Sequence, residues 1–310
     1  MPRLSPPRVR GVLRVGSALL GLGVTGWLLG TLWPEPDRVA HGAAPSADQP
    51  ETLAPFPESP VTVLVIGLDT DRLGASSNQA APVGPANADA LLMLRIASKE
   101  PLQVLQIPTE IGVRLPGEQN PGSLAQLWRR GGVSLVRDAI RDIVGLEEGD
   151  PQRYVVMPRA ALRQLVNGLG YVEVVLGQSY QRKDKTQGYS VNLQAGRQIL
   201  NGAQAEQLVR HLPDPKAVSK RRQRQDIVVA AMIEQVKAPS SIGVIPALVN
   251  QLDAEVETNL SRSEQLSLAA AIIASPEPVT MSSLPLAERA GEQTLRQIKP
   301  DASRPLWPQH

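Results

Sequence analysis

The feature that most constrains this chain is an uncharged apolar segment near its N-terminus. The 19 residues from Val15 to Trp33 carry no charged side chain. A helix rising ~1.5 Å per residue would span ~28 Å here, close to the ~30 Å hydrocarbon core of a bilayer. The arginines that precede the segment, with no acidic residue among them, are Arg3, Arg8, Arg10 and Arg14. The positive-inside rule then predicts a single-pass protein of the plasma membrane, with a cytoplasmic N-terminus and an external or periplasmic body.

A cleaved signal peptide is the alternative reading of this segment. The apolar region of a signal peptide usually runs ~7–15 residues and ends at a site of small residues. The present segment is longer, and Ala40, Gly42 and Ala43 form only a weak cleavage site. We therefore favour an uncleaved anchor.

Composition divides the rest of the chain. Residues 34–60 contain seven prolines, which is typical of an extended tether. The predicted organisation is a basic cytoplasmic arm over 1–14, a transmembrane anchor over 15–33, a proline-rich linker over 34–60, a catalytic or binding domain over 61–240, and a helical C-terminal extension with an irregular tail over 241–310.

Composition also excludes several classes of function. The 310 residues include no cysteine, so disulfide scaffolds, thiol nucleophiles and cysteine-ligated metal sites are ruled out. The net charge of +2 comes from 32 basic and 30 acidic residues. Without the four N-terminal arginines, 28 basic residues face 30 acidic ones, a net charge of −2. Nucleic-acid binding depends on excess positive charge, so we expect no nucleic-acid partner.

The domain alternates between strand and helix patterns. An apolar, β-branched run over Val61–Leu68 predicts a buried strand, and the short connection between Ala90–Ile96 and Leu102–Ile107 predicts a hairpin. Apolar residues at helical spacing predict a helix over Ser134–Val144. Further strands are predicted over Tyr154–Met157, Val172–Leu176 and Pro278–Leu284, and further helices over Arg159–Asn167, Ala203–Arg210, Ser219–Lys237 and within 241–276. These elements predict an α/β sandwich with a mixed, largely antiparallel central sheet.

Two carboxylates stand at the ends of neighbouring predicted strands. Asp69 directly follows the first strand, and Asp89 directly precedes the second. If these strands pair, both side chains reach one edge of the sheet, where two carboxylates with waters and substrate phosphates suit Mg²⁺. The alternative is that each Asp caps a turn, a frequent role of this residue type.

A run of cations is the second candidate feature. Arg210 ends one predicted helix, and Arg221 shares a face of the next helix with Arg224 and Gln225. The other cations at the start of that helix are Lys216, Lys220 and Arg222. The guanidinium fork suits phosphate oxygens, although a solvated basic face or a lipid-facing one is the alternative. Together the carboxylates and arginines suggest a magnesium–pyrophosphate site, because positioning and charge stabilisation supply most of the rate of phosphoryl transfer.

Several segments, in order, resemble the LytR-CpsA-Psr (LCP) family. The segments are Val63–Asp69, Ala88–Leu94, Gln106–Pro108, Gly131–Gly132, Gly168–Val174 and Leu193–Ala205, followed by Arg210, Arg221, Arg224 and Gln225. The stretch Leu193–Ala205 is the most specific, and the resemblance covers about residues 61–237. It implies an LCP-like α-β-α sandwich.

The resemblance implies a Mg²⁺-dependent phosphotransferase. LCP proteins move a glycosyl-phosphate polymer from a polyprenyl-pyrophosphate carrier to a peptidoglycan hydroxyl. The catalytic residues implied here are Asp69, Asp89, Arg210 and Arg221, of which Asp69 and Asp89 would ligate Mg²⁺. The implied phosphate-binding residues are Arg210, Arg221, Arg224 and Gln225. The family holds the lipid in an apolar groove between sheet and helices, for which the apolar faces of 134–144 and 227–236 are candidates; ordinary core packing is the alternative.

The chain departs from the family's pattern at several cations. Asn87, Thr109 and Leu212 stand where the family usually has arginine, and Ser123 stands where it has lysine. Losing one charge-assisted phosphate contact commonly costs roughly 1.5–3 kcal/mol. The local cations that we consider as substitutes are Arg72, Arg114 and Lys220.

Two other functions are weighed against an active transferase. The missing arginines favour a catalytically degenerate protein of the same fold that binds polyprenyl phosphate or an envelope polymer. A transcriptional attenuator, a role once attached to this family, is disfavoured by the neutral body and the external topology.

Overall fold

A computed structural model describes residues 49–78, 84–184, 189–212, 214, 217–289, 291 and 293–308. The predicted cytoplasmic arm and anchor, and the linker up to residue 48, lie outside these residues. Within the described part of the chain, no helix is both long and apolar enough to cross a membrane.

The described chain forms short strands and six α-helices. The strands are β1 (Val61–Leu68), β2 (Ser77–Asn78), β3 (Gly84–Pro85), β4 (Ala88–Ile96), β5 (Gln103–Gln106), β6 (Gly112–Val113), β7 (Gly122–Ser123), β8 (Arg153–Met157), β9 (Val172–Leu176), β10 (Tyr180–Asp184), β11 (Tyr189–Leu193), β12 (Gly196–Leu200), β13 (Glu257–Thr258) and β14 (Thr280–Ser283). The helices are α1 (Leu124–Val144), α2 (Arg159–Gly168), α3 (Gly202–Arg210), α4 (Val218–Lys237), α5 (Ile245–Leu252) and α6 (Arg262–Ala274).

The central sheet has six strands in the order β13-β8-β1-β4-β5-β14. The pairs β13–β8, β1–β4 and β4–β5 are antiparallel, whereas β8–β1 and β5–β14 are parallel. The sheet is therefore mixed, with three antiparallel pairs out of five, as the sequence predicts. Because β8 runs parallel to β1, the residues that follow these two strands emerge at the same edge.

One face of the sheet, which we call the closed face, packs into a continuous core. Leu64 and Ile66 of β1 and Leu91 and Met93 of β4 are at most 1 % exposed. They pack against α1, whose Ser123 forms a capping box with Gln126 at the N-terminus. α1 is kinked where Gly132 takes a positive φ of 56°, a conformation that glycine adopts at little cost. The kink explains why the sequence pattern predicts only the second half of this helix.

The described residues of the segment 284–289, 291 and 293–308 include further members of the core on the closed face. Trp307 is 1 % exposed and belongs to the same core. The amide of Leu306 donates to the carbonyl of Val144 over 2.8 Å, and the guanidinium of Arg304 donates to the carbonyl of Asp142 over 2.7 Å. The tail is irregular, as predicted, but it supplies part of the core.

The opposite face of the sheet, which we call the open face, is covered less completely. Val65, Leu92 and Leu94 alternate with the closed-face residues and are only half-buried. α4 and α6 pack over this side, where Leu268 and Ala271 of α6 contact a smaller core. Helices on both sides of a central sheet make an α-β-α sandwich.

Two small antiparallel sheets extend the fold beside α3 and α4. They pair β9 with β12 and β10 with β11, and they enclose a further apolar core that includes Val228 of α4. The sequence analysis predicts β9 but not β10 to β12. β11 buries alternate residues only, and its exposed positions, Ser190 and Asn192, are polar. β12 buries only Leu200, so its pattern is weaker still.

Candidate active site

A cavity of about 940 Å³ lies between the open face and α4, α5 and α6, and residues of α2 complete its lining. Its volume is at the upper end of the range for small-molecule sites, ~300–1,000 Å³. The interior is aliphatic. The interior side chains come from the sheet and from the three helices: Val63, Val65, Leu92, Leu94, Val228, Val229, Met232, Ile233, Val236, Leu248, Val249, Leu252, Leu268 and Ile272. The apolar face of 227–236 therefore lines a cavity. The face of 134–144 packs in the core on the closed face, which is the alternative of ordinary core packing.

The mouth of the cavity lies at the edge where β1 ends and β4 begins. Asp69 and Asp89 both line it. The antiparallel pairing of β1 with β4 brings the end of β1 next to the start of β4. A register shift between Gly67 and Leu68 interrupts the ladder beside them. The structure thus brings the two sequence-predicted carboxylates to one site.

Asp69 is held by two asparagines. Its Oδ1 accepts a hydrogen bond from the amide of Asn87 over 2.8 Å, and its Oδ2 accepts one from the Asn78 side chain over 2.6 Å. Burial raises the pKa of the Asp69 carboxyl, and the charge of Asp89 adds to the increase, while the hydrogen bonds from Asn87 and Asn78 oppose it. The asparagine donors therefore offset part of the cost of burying this carboxylate.

Asp89 pairs with the start of α4. The Nη1 of Arg221 lies 2.8 Å from Oδ1 and 3.0 Å from Oδ2 of Asp89. One turn along, the Gln225 side chain donates to the Asp89 carbonyl over 3.3 Å. Arg221 and Gln225 both line the cavity. The helical spacing of four residues therefore places this arginine and this amide on the same side of the mouth, as the sequence predicts.

The other side of the mouth is a cluster of arginines around one carboxylate. Glu206 is 6 % exposed. Its Oε1 accepts from Arg210 over 2.9 Å and from Arg159 over 3.3 Å, and its Oε2 accepts from Arg163. Arg210, Arg159 and Glu206 line the cavity. The Arg210 guanidinium also lies 5.0 Å from the centre of the Tyr189 ring, a distance at which a cation–π attraction helps to fix it.

A close approach of α2 and α3 creates this cluster. Gly202 begins α3, and a Cβ at this position would lie 2.2 Å from the carbonyl oxygen of Arg163. Asn201 caps the helix by accepting from the Gln204 amide over 3.0 Å, and the Gly202 amide donates to the Asn167 side chain over 2.8 Å. Only glycine permits this contact, which brings Glu206 to the arginines of α2.

Arg224 is not brought to the cavity with the other predicted phosphate-binding residues. It is 4 % exposed, and its guanidinium donates to the main-chain carbonyls of Leu208 and His211. It also lies 5.3 Å from the centre of the Tyr180 ring. These contacts join α4 to the end of α3, so the structure corrects the expectation that Arg224 shares a ligand with Arg221. Arg224 contacts the end of α3 and the Tyr180 ring, whereas Arg221 contacts Asp89 at the mouth.

The departures from the family's pattern fall at different places. Asn87 and Leu212 line the cavity, whereas Thr109 lines a small pocket beside it. Next to Thr109, Glu110 forms a buried ion pair with Arg222 over 2.8 Å. Arg72, Arg114 and Lys220, considered as substitute cations, are absent from the described lining of the cavity.

The sequence analysis missed Arg159, Arg182 and Glu206, all of which line the mouth. A signal for Arg159 was present. It lies two residues after β8, and β8 is parallel to β1, so it emerges at the same edge as Asp69. Glu206 lies four residues before Arg210 on α3, a spacing that favours their ion pair. Its contacts with Arg159 and Arg163 come from α2 and give no comparable signal.

The donor set at the mouth fits Mg²⁺. Besides the two carboxylates, the side-chain carbonyl oxygens of Asn78 and Asn87 are buried and lack a hydrogen-bond partner among the described residues. All four groups offer oxygen ligands, which this ion prefers. Among the described residues, no cluster of three or more His, Cys, Asp or Glu side chains forms a metal site, so an ion here would depend on waters and substrate phosphates to complete its shell.

A model of the LytR_cpsA_psr family matches residues 39–302. This chain belongs to that family. Two curated relatives from Bacillus subtilis (strain 168) are similar to it. The polyisoprenyl-teichoic acid–peptidoglycan teichoic acid transferase TagT is 29 % identical over 214 residues, 67 % of this chain and 62 % of TagT. The corresponding TagV is 22 % identical over 187 residues, 58 % of this chain and 47 % of TagV. The matches thus span less than two thirds of either relative.

Solved structures share the fold. The crystal structure of B. subtilis TagV superposes with a TM-score of 0.63 at 18 % identity, covering 81 % of this chain and 94 % of that structure. The structure of TagT bound to LIIa-WTA has a TM-score of 0.55 at 22 % identity, covering 78 % and 84 % respectively. The mixed α/β architecture is therefore that of the LCP family.

Proposed function

We propose that this protein is a membrane-anchored transferase that moves a glycosyl-phosphate polymer from a polyprenyl-pyrophosphate carrier to a peptidoglycan hydroxyl. The observation that carries the proposal is one cavity with an aliphatic interior and a charged mouth. Such a site suits a ligand with a long hydrocarbon tail and a phosphate head. Membership of the family and the transferase names of TagT and TagV support the same class of reaction.

The interior of the cavity would hold the lipid. Branched aliphatic side chains from the open face and from α4, α5 and α6 surround it. Each CH₂ group moved from water into such surroundings contributes ~0.8 kcal/mol. Several isoprene units would therefore supply most of the binding free energy, and the mouth would supply orientation.

The mouth would hold the pyrophosphate. Arg210 and Arg221 stand on opposite sides of it, each fixed by a carboxylate, and Gln225 adds an amide donor. In the reaction, an oxygen of the acceptor hydroxyl attacks the phosphorus that carries the sugar. The bond from that phosphorus to the bridging oxygen breaks, polyprenyl phosphate leaves with the bonding electrons, and the hydroxyl proton is released. The arginines stabilise the negative charge that develops on the phosphoryl oxygens.

Asp69 and Asp89 would hold Mg²⁺, with the side-chain oxygens of Asn78 and Asn87 available beside them. A bound Mg²⁺ would neutralise charge on the pyrophosphate and orient it. Asn78 and Asn87 keep Asp69 in place, and Arg221 keeps Asp89 in place. The chain's own contribution is thus two carboxylates and two arginines that are held in place at one mouth before any ligand binds.

The membrane context is part of the proposal. The arginines before the uncharged segment favour an N-terminus in the cytoplasm and a domain outside, where peptidoglycan lies. TagT and TagV are named for a teichoic acid donor; for this chain we propose the broader class of polyprenyl-linked glycopolymer.

A degenerate binding protein is the second candidate. It is favoured by Asn87 and Leu212, uncharged residues in the cavity wall at positions where the resemblance leads us to expect arginine. Such a protein would bind a polyprenyl phosphate or an envelope polymer without turnover.

Metal-dependent turnover separates the two candidates. The full chain in detergent would be given a synthetic polyprenyl-pyrophosphate sugar and an acceptor glycan, and release of polyprenyl phosphate would be measured with Mg²⁺ and with EDTA. We expect release to require Mg²⁺ and to fall by about 100-fold or more in Asp89→Asn, a loss typical of removing one stabilising group from a transition state.

Asp142→Asn is the matched control, because Asp142 is exposed on α1 at the opposite side of the sheet. Its turnover should equal that of the wild type. Tight binding of the donor without any metal-dependent release would favour the degenerate binding protein, and no binding at all would exclude both candidates.

A further inference from the structure

Arg159 is a buried cation in the cavity wall that the proposed reaction leaves without a role. Its side chain is 10 % exposed, and its contact with Glu206 is long, 3.3 Å. Its Nε is buried and has no hydrogen-bond partner among the described residues. An unsatisfied buried donor is costly, so a guanidinium left in this state is well suited to an incoming anion.

The backbone fixes Arg159 beside the carboxylate side of the mouth. The Arg159 amide donates to the carbonyl of Thr70 over 2.9 Å, and the next amide, of Ala160, donates to the carbonyl of Asp71 over 3.2 Å. The start of α2 is therefore attached to the residues that directly follow Asp69. This attachment places the cation between the carboxylates and Arg210.

The local charge balance leaves positive charge without a partner. Arg159, Arg163 and Arg210 share the single carboxylate of Glu206. Among the ion pairs of the described residues, only Arg163 has a second carboxylate partner, Asp71, over 2.7 Å. Burial lowers the pKa of Arg159, and the neighbouring charge of Arg210 lowers it further. A dianionic ligand would relieve this repulsion.

We propose that Arg159 binds a phosphate oxygen of the substrate beside Arg210, and so replaces a cation that Asn87 and Leu212 do not supply. This inference rests on the proposed function, since it assigns one more residue to the same pyrophosphate. The alternative is that Arg159 only neutralises Glu206 and contributes to the packing of α2 on α3.

Two lipids separate binding of phosphate from binding of the tail. The full chain in detergent would be titrated by calorimetry with geranylgeranyl pyrophosphate and with geranylgeraniol, which has the same tail and no phosphate. For Arg159→Leu we expect affinity for the pyrophosphate to fall about ten- to a hundredfold, as for the loss of one charge-assisted contact, and affinity for the alcohol to stay unchanged. Arg159→Lys should keep part of the affinity.

Arg163→Leu is the matched control. It also removes a partner of Glu206, but Arg163 is not among the residues that line the cavity. We expect its affinity for the pyrophosphate to change less than threefold.

The double variant Arg159→Leu/Glu206→Gln tests the structural alternative directly. If Arg159 binds phosphate, removing it should weaken pyrophosphate binding in the Glu206→Gln background as much as in the wild type. Recovery of binding in the double variant, or equal affinity of Arg159→Leu and wild type, would overturn the inference and leave the proposed function standing. A wild type that binds the pyrophosphate no better than the alcohol would overturn both.

Discussion

The two faces of the central sheet use adjacent residues of the same strands for opposite purposes. On the closed face, Leu91 and its neighbours are packed to full burial against α1 and Trp307. On the open face, Leu92 and Leu94 line a cavity of about 940 Å³. Both sets are aliphatic and alternate along β4. The difference lies in the elements that pack on each face. The kinked helix α1 and the segment with Trp307 pack closely on the closed face, whereas α4, α5 and α6 leave a cavity on the open face.

The comparison is tested most strongly by two neighbouring leucines. Leu91→Ala should lower the free energy of unfolding by about 2–5 kcal/mol, because it leaves a hole in a close-packed core. Leu92→Ala should cost less than half as much, since its side chain already borders a space. Urea denaturation of both variants measures the difference, and equal losses would show that the open face is as tightly packed in solution as the closed one.

A second pair of substitutions, on α6, tests the comparison by adding side-chain volume instead of removing it. Ala269 lines the cavity, whereas Ala270 is fully buried. Ala269→Phe should leave the unfolding free energy nearly unchanged and weaken binding of geranylgeraniol about tenfold, because the ring occupies space that the tail needs. Ala270→Phe should instead destabilise the fold by about 1–3 kcal/mol through overpacking.

Calorimetric titration and thermal unfolding of these two variants give the readouts. Unchanged lipid affinity in a well-folded Ala269→Phe protein would mean that the tail binds elsewhere.

The smallest expected effect is the pH dependence of stability that comes from Asp226, a residue of α4 outside the described lining of the cavity. Burial raises the pKa of Asp226 to about 6, against the opposing effects of Arg222 and Gln106. The folded protein therefore holds this proton between about pH 4 and 6 while the unfolded chain has lost it, so stability falls as the pH rises through that window. One pKa unit corresponds to 1.36 kcal/mol, and screening at a partly exposed site reduces the effect to roughly 1 kcal/mol.

Asp226→Asn should remove this pH dependence. The free energy of unfolding would be measured for both proteins at pH 4.5 and pH 7.5. Relative to the wild type, the variant should be more stable at pH 7.5 than at pH 4.5. A constant difference between the two proteins across this range would contradict the raised pKa.

Much of the architecture was predictable, because it depends on local patterns. A β-branched apolar run predicted β1, and a short connection predicted the hairpin of β4 and β5. The ends of β1 and β4 predicted that Asp69 and Asp89 would meet if these strands pair. Helical spacing placed Arg221 with Gln225, but it also placed Arg224 with them, and only packing shows that Arg224 is buried against carbonyls.

The basic side of the mouth was not predictable in the same way. Glu206 and Arg159 are 47 positions apart and meet because α2 and α3 approach closely at Gly202. No spacing rule within one element reports such a contact. The burial of Trp307 is a similar case, since its partners lie in helices and strands far from it along the chain.

The position of Trp307 has a consequence for the order of events during synthesis. Arg304 bonds to the carbonyl of a residue 162 positions earlier, and Trp307 fills a core whose other members begin at Leu64. Both residues follow every strand of the central sheet along the chain, so the ribosome adds them after the sheet. Contacts between such distant residues slow folding, so the core on the closed face stays incomplete until the segment around Trp307 has been synthesised.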